Sequence, residues 1–185
     1  MGTYGIFIIF ILIHELAHLV VGILIGGKPK KMTISPFGMS LEFYSYGKNK
    51  IFYKILFFSS GPLINLVIAL LFNFLYNKND LIQIIIYINV AIGIFNLLPI
   101  LPLDGGKLLR EIAKGIIGFE KANKFIIYFS KIVLMCISFI YAILIVKVKN
   151  IMILLLILYL WHLYYIEEKK YNIYEKANKS IKKII

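Results

Sequence analysis

Residues 14–18 of the chain are His-Glu-Leu-Ala-His, set inside an apolar run from Tyr4 to Ile25. On a helix the two histidines lie one turn apart on the same face, so His14 and His18 can share a metal ion. Glu15, the next residue round, can then serve as a base toward a water at that ion. Charged groups at membrane depth cost on the order of 2.5–3.5 kcal/mol each on insertion scales, and where they occur they usually mark function. A catalytic zinc usually takes three protein ligands and keeps a fourth position open. HELAH supplies two ligands and a base, and a third donor must come from elsewhere.

The two aspartates are the first candidates. Asp80 closes a short turn, Asn77-Lys78-Asn79-Asp80, on the side of the membrane away from a cytoplasm-facing site. Asp104 stands in Leu98-Pro99-Ile100-Leu101-Pro102-Leu103-Asp104-Gly105-Gly106. Pro99 and Pro102 must interrupt a helix, and the glycine pair permits a sharp turn. Broken backbone at membrane depth is tolerated where it is buried or lines a wet cavity. Such a break can turn the Asp104 carboxylate back toward the histidines. The alternative is that Asp104 caps a following helix, Lys107–Ile117. Its place after two prolines favours the ligand.

The elements that must position these groups are membrane spans. The chain has 185 residues, a single-domain length, but 61% are apolar and 16% charged, and the mean hydropathy is +0.86. Five stretches can cross about 30 Å of hydrocarbon at roughly 1.5 Å per residue: Tyr4–Ile25, Ile51–Tyr76, Leu81–Leu98, Phe125–Val146 and Ile151–Ile166. The first lacks a basic leader and carries HELAH, so it is a permanent span rather than a cleaved signal. The fold class expected is an all-α polytopic membrane protein of about five transmembrane helices, with a broken third helix that carries the Asp ligand. Between the first two spans, Lys31–Tyr46 contains Pro36-Phe37-Gly38 between short alternating runs, which predicts a small β-hairpin at the cytoplasmic membrane face.

The formal charge of +12 does not point to nucleic acid, because the lysines cluster between apolar segments, where topology signals lie. Lys28, Lys30, Lys31, Lys48, Lys50 and Lys54 follow span one. Lys107, Arg110, Lys114, Lys121 and Lys124 follow span three, and six lysines follow span five. The other side holds Lys78, Lys147 and Lys149. By the positive-inside rule the N-terminus is outside and the tail is cytoplasmic. The tail from Glu167 carries Ile173, Ala177, Ile181 and Ile184 at helical spacing, the pattern of an interfacial amphipathic helix or of a solvated charged tail. Cys136, the sole cysteine, is expected to be a small buried hydrophobe. His162, beside Trp161, is expected to be an interfacial or packing residue.

Three motifs now stand together: HELAH, then Gly61-Pro62-Leu63-Ile64-Asn65 in the second span, then Asn96 to Gly106 after the third. In this order they resemble the signatures of the site-2 protease family, intramembrane zinc metalloproteases. With Pro36-Phe37-Gly38 they are most similar to the bacterial branch typified by stage IV sporulation protein FB. The resemblance covers roughly residues 6–114 and implies a domain over 1–166 with its catalytic core at about 4–114. It implies one Zn²⁺ on His14, His18 and Asp104, with Glu15 as the general base. It also implies a membrane-tethered protein substrate in a bacterial cell membrane, cut near its cytoplasmic boundary to release a regulator such as a sigma factor precursor. Regulatory membrane proteins are implied as further partners.

The nineteen residues beyond span five are expected to be a basic tail with no CBS domain, which departs from that branch and leaves its sporulation role open. A catalytically inactive scaffold or metal-binding partner is the competing expectation. Asn65 and Asn96 are amides in apolar surroundings. They suit substrate binding or oxyanion stabilisation on one reading and interhelical hydrogen bonding on the other.

Overall fold

A computed structural model describes residues 3–35, 38–45, 51–75, 79–148 and 150–184. In chain order the elements are α1 (Thr3–Leu24), β1 (Lys28–Ser35), β2 (Gly38–Ser45), α2 (Ile51–Phe74), α3 (Asp80–Leu97), α4 (Asp104–Ile117), α5 (Phe119–Val148) and α6 (Ile151–Ile184). Helices α1, α2, α3, α5 and α6 are each long and apolar enough to cross a bilayer. The protein is a multi-pass membrane protein, almost entirely helical. It divides into two compact units, Met1–Leu98 and Pro99–Ile185.

In the first unit, α2 packs against both α1 and α3. The usual arrangement of a water-soluble core is reversed. Leu16, Val20, Leu63, Leu70 and Ile94 are exposed, while His14, His18, Asn65 and Asn89 are buried. Lipid is as apolar as leucine, so the outer surface carries aliphatic side chains and the polar groups turn inward to find partners. Helix α3 opens with an Asn79 cap whose Oδ1 accepts from the Leu81 N–H at 2.9 Å. It lies close against α2: a Cβ on Gly93 would stand 3.0 Å from the Leu66 side chain and 3.2 Å from the Pro62 carbonyl oxygen.

Strands β1 and β2 pair antiparallel, with Met32 opposite Leu41 and Ser35 opposite Gly38, and the register slips near Pro29. Proline has no N–H for the ladder, which suits it to such an irregularity. Pro36 and Phe37 of the expected turn lie outside the described residues, as do Lys48, Lys50, Asn77 and Lys78.

The second unit begins with Pro99. Ile100 and Leu101 are buried, and the Leu101 N–H donates to Ser130 Oγ of α5 at 3.1 Å. Gly118, at φ 80°, separates α4 from α5 while its N–H still reaches the Lys114 carbonyl at 3.2 Å. Helices α5 and α6 pack together, joined by Trp161 Nε1 donating to Ser138 Oγ at 2.9 Å.

Four expectations differ from what is found. Helix α5 starts at Phe119 rather than Phe125, and α6 continues unbroken from Ile151 to Ile184 instead of ending at Ile166. Hydropathy marks where a helix leaves lipid, not where its backbone stops. Pairs such as Glu167–Lys170, three residues apart at 2.6 Å, carry the helix onward. Cys136 is exposed on α5 rather than buried, because the outer face of a membrane helix is itself apolar. Asp104 is not carried by the third helix: α3 ends at Leu97, and Asp104 is the first residue of α4, with Leu103 as its cap.

Candidate metal centre

Helix α1 turns His14 and His18 inward toward α2, where both rings are buried. Each Nδ1 meets a group whose identity fixes the ring. His18 Nδ1 lies 2.7 Å from the Phe57 carbonyl oxygen, which can only accept, so the proton of His18 is on Nδ1. Ser60 Oγ lies 3.1 Å from the same nitrogen and donates its own hydrogen to the Phe57 carbonyl at 2.7 Å. His14 Nδ1 lies 2.7 Å from Asn65 Oδ1, an acceptor as well. In each ring, when neutral, Nε2 is then the acceptor nitrogen, and the two Nε2 atoms face one another at 3.3 Å.

That separation is within hydrogen-bond range, but two neutral rings that each carry the proton on Nδ1 have no hydrogen to share there. Two lone pairs in apposition repel unless a cation sits between them. Two imidazole nitrogens about 2.05 Å from a tetrahedral zinc stand about 3.3 Å apart. The chemistry of the pair and its spacing both fit such an ion.

Gly61 is the residue of α2 that faces this space. A Cβ there would lie 2.3 Å from His18 Nε2 and 2.6 Å from His14 Nε2. Only glycine leaves the nitrogens clear. Pro62, inside α2, cannot donate to the Phe58 carbonyl, so the helical ladder is interrupted beside the turn that serves His18.

Glu15 is half-buried on α1 beside His14. Asn65 is fully buried and also donates from Nδ2 to Asn89 Oδ1 at 2.9 Å and toward the Phe10 carbonyl at 3.4 Å. Asn96, half-buried near the end of α3, donates from Nδ2 to the Ile92 carbonyl at 3.0 Å. Asn89, also fully buried, was not singled out by the sequence; as a lone amide facing inward in an apolar helix, it carried a signal that could have been used. In the second unit Asp104 is buried, and Lys107 Nζ approaches its Oδ1 at 3.3 Å. His162 is exposed on α6.

Residues 76–138 match the model of peptidase family M50. The chain is 28% identical over 121 residues to stage IV sporulation protein FB of Bacillus subtilis, covering 63% of this chain and 42% of that protein. It is 29% identical over 124 residues to a zinc metalloprotease of Methanocaldococcus jannaschii, covering 62% of this chain and 35% of that one. Among solved structures, the site-2 protease from Methanocaldococcus jannaschii has the same fold, with a TM-score of 0.68 and 23% identity over 89% of this chain and 76% of that one. Over the matched residues the chain is similar to peptidase family M50, the site-2 proteases. It spans about two fifths of the Bacillus relative and about a third of the archaeal one.

Proposed function

We propose that the chain is an intramembrane zinc metalloendopeptidase in which His14, His18 and Asp104 hold one Zn²⁺. The observation that carries this reading is the pair of Nε2 atoms 3.3 Å apart beside Gly61. Two imidazoles and one carboxylate make a three-ligand donor set of the catalytic kind, and all three residues are buried candidates for a metal. Zinc bound there supplies Lewis acidity, which activates a water and polarises a scissile carbonyl. Glu15 takes the proton of the attacking water and delivers it to the leaving amine. Asn96, with one amide hydrogen on its own helix, offers the other to a substrate carbonyl. Asn65 spends its amide hydrogens on Asn89 and Phe10, so it is assigned to bracing His14 rather than to substrate.

The substrate of this reading is a membrane-tethered protein cut near its cytoplasmic boundary, with release of a regulator such as a sigma factor precursor. Purified protein is expected to hold one zinc. Glu15→Gln is expected to lower cleavage of a reconstituted single-span precursor by about 10²–10⁴-fold while zinc content is kept. Full activity in that variant would remove the mechanism. Zinc bound by the wild type without cleavage of any single-span protein would favour the inactive scaffold.

The lysine distribution supports a bacterial cell membrane orientation with the N-terminus outside and the C-terminus cytoplasmic. A cysteine placed at Asn79, with Cys136 replaced by Ser, is then expected to react with an impermeant maleimide added outside cells. Protection at Asn79 would reverse the topology and the side of product release.

A further inference from the structure

We propose that Asn89 of α3 is a positioning residue for the metal centre, acting through Asn65 to set the tautomer of His14. The proposal rests on the zinc reading above and extends it to a helix that supplies none of the proposed zinc ligands. An amide side chain is a donor at one end and an acceptor at the other, so a chain of amides carries a direction fixed at its anchors. Here the anchor is the Ile85 carbonyl. It can only accept, and Asn89 lies 2.9 Å from it. Asn89 must present Nδ2 to Ile85 and hence Oδ1 to Asn65.

Asn65 in turn presents Nδ2 to Asn89 at 2.9 Å, and the Phe10 carbonyl at 3.4 Å demands the same orientation. Its Oδ1 is then the atom left for His14, at 2.7 Å. An acceptor at that distance holds the imidazole proton on Nδ1 and makes Nε2 the nitrogen that can serve as a ligand. A backbone carbonyl on α3 thus decides, through two side chains, which nitrogen of a ring on α1 is a ligand. Both amides are fully buried, so water does not compete for the relay. Gly93, one helical turn beyond Asn89, permits the close approach of α3 to α2 that the relay requires.

The test compares Zn²⁺ affinity, by chelator competition on the purified full chain in detergent, across four proteins: wild type, Asn89→Leu, Asn65→Asp and the double variant. Asn89→Leu keeps side-chain volume but offers Asn65 no acceptor. Its affinity is expected to fall about 10–100-fold, the usual effect of losing an outer-shell partner. Asn65→Asp presents an oxygen to His14 from either end of its carboxylate, so direction no longer matters. In that background, Asn89→Leu is expected to change affinity by less than about threefold. The ¹⁵N shifts of His14 in metal-free protein provide a second readout: Nδ1–H alone in the wild type and a tautomer mixture in Asn89→Leu.

Wild-type affinity in Asn89→Leu with an unmixed tautomer would overturn the proposal, and so would an equal loss in both backgrounds. If Asn89→Leu does not fold, Asn89→Ser and its Asn65→Asp double are read in the same way. Failure of the wild type to bind zinc would remove the metal reading itself, a result distinct from any difference among the variants.

Discussion

His18 and His14 sit one turn apart on α1 and are oriented by different means. His18 gives its Nδ1 proton to a backbone carbonyl, Phe57 of α2, at 2.7 Å. His14 gives its proton to a side chain, Asn65, which is held in turn by Asn89 of α3. A backbone acceptor survives any substitution that keeps α2 in place. A side-chain relay survives only if each amide is present and the three helices keep their spacing. One half of the histidine pair is thus secured by local helix geometry, and the other by the packing of α1, α2 and α3 as a set. The ring most exposed to sequence change is His14.

Gly61 is the point where the two halves meet, and substituting it is expected to have the largest effect. Gly61→Ala would put a carbon 2.3 Å from one Nε2 and 2.6 Å from the other. Alanine favours an α-helix over glycine by about 1 kcal/mol, so α2 itself should not be weakened. The expected outcome is a loss of zinc affinity of about 100-fold or more with helix content and thermal unfolding retained. The two readouts moving in opposite directions is the informative result. Unchanged zinc binding would mean that both rings can withdraw from α2, and the contrast between them would carry no weight.

Much of this was legible in the sequence, and the parts that were not have physical causes. HELAH was legible because two candidate ligands and a candidate base fall within five residues, where helix periodicity alone fixes their geometry. The spans were legible because lipid demands long apolar runs. The partner of Asn65 was not, since an amide in an apolar helix can face a substrate or a neighbouring helix, and only the packing of α2 between α1 and α3 decides. Asn89 was passed over because Gln83-Ile84-Ile85-Ile86-Tyr87-Ile88-Asn89 contains no motif, and its role exists only through Asn65. The start of α4 at Asp104 escaped the proline rule, which says where a helix stops but not how soon the next begins.

The smallest effect is expected at Ser60, on the backbone-held side. Its hydroxyl lies 3.1 Å from His18 Nδ1 and donates to the Phe57 carbonyl at 2.7 Å, so it is placed to share in orienting this ring. Ser60→Ala removes that share and leaves the shorter bond to Phe57 intact. The carbonyl also loses a competing donor, which strengthens its hold on the His18 proton. Zinc affinity is therefore expected to stay within about threefold of wild type, and the stability cost should not exceed that of a single hydrogen bond, about 0.5–1.5 kcal/mol. A tenfold loss of zinc in Ser60→Ala would mean that His18 also depends on a side chain, and the two histidines would then be held in the same way.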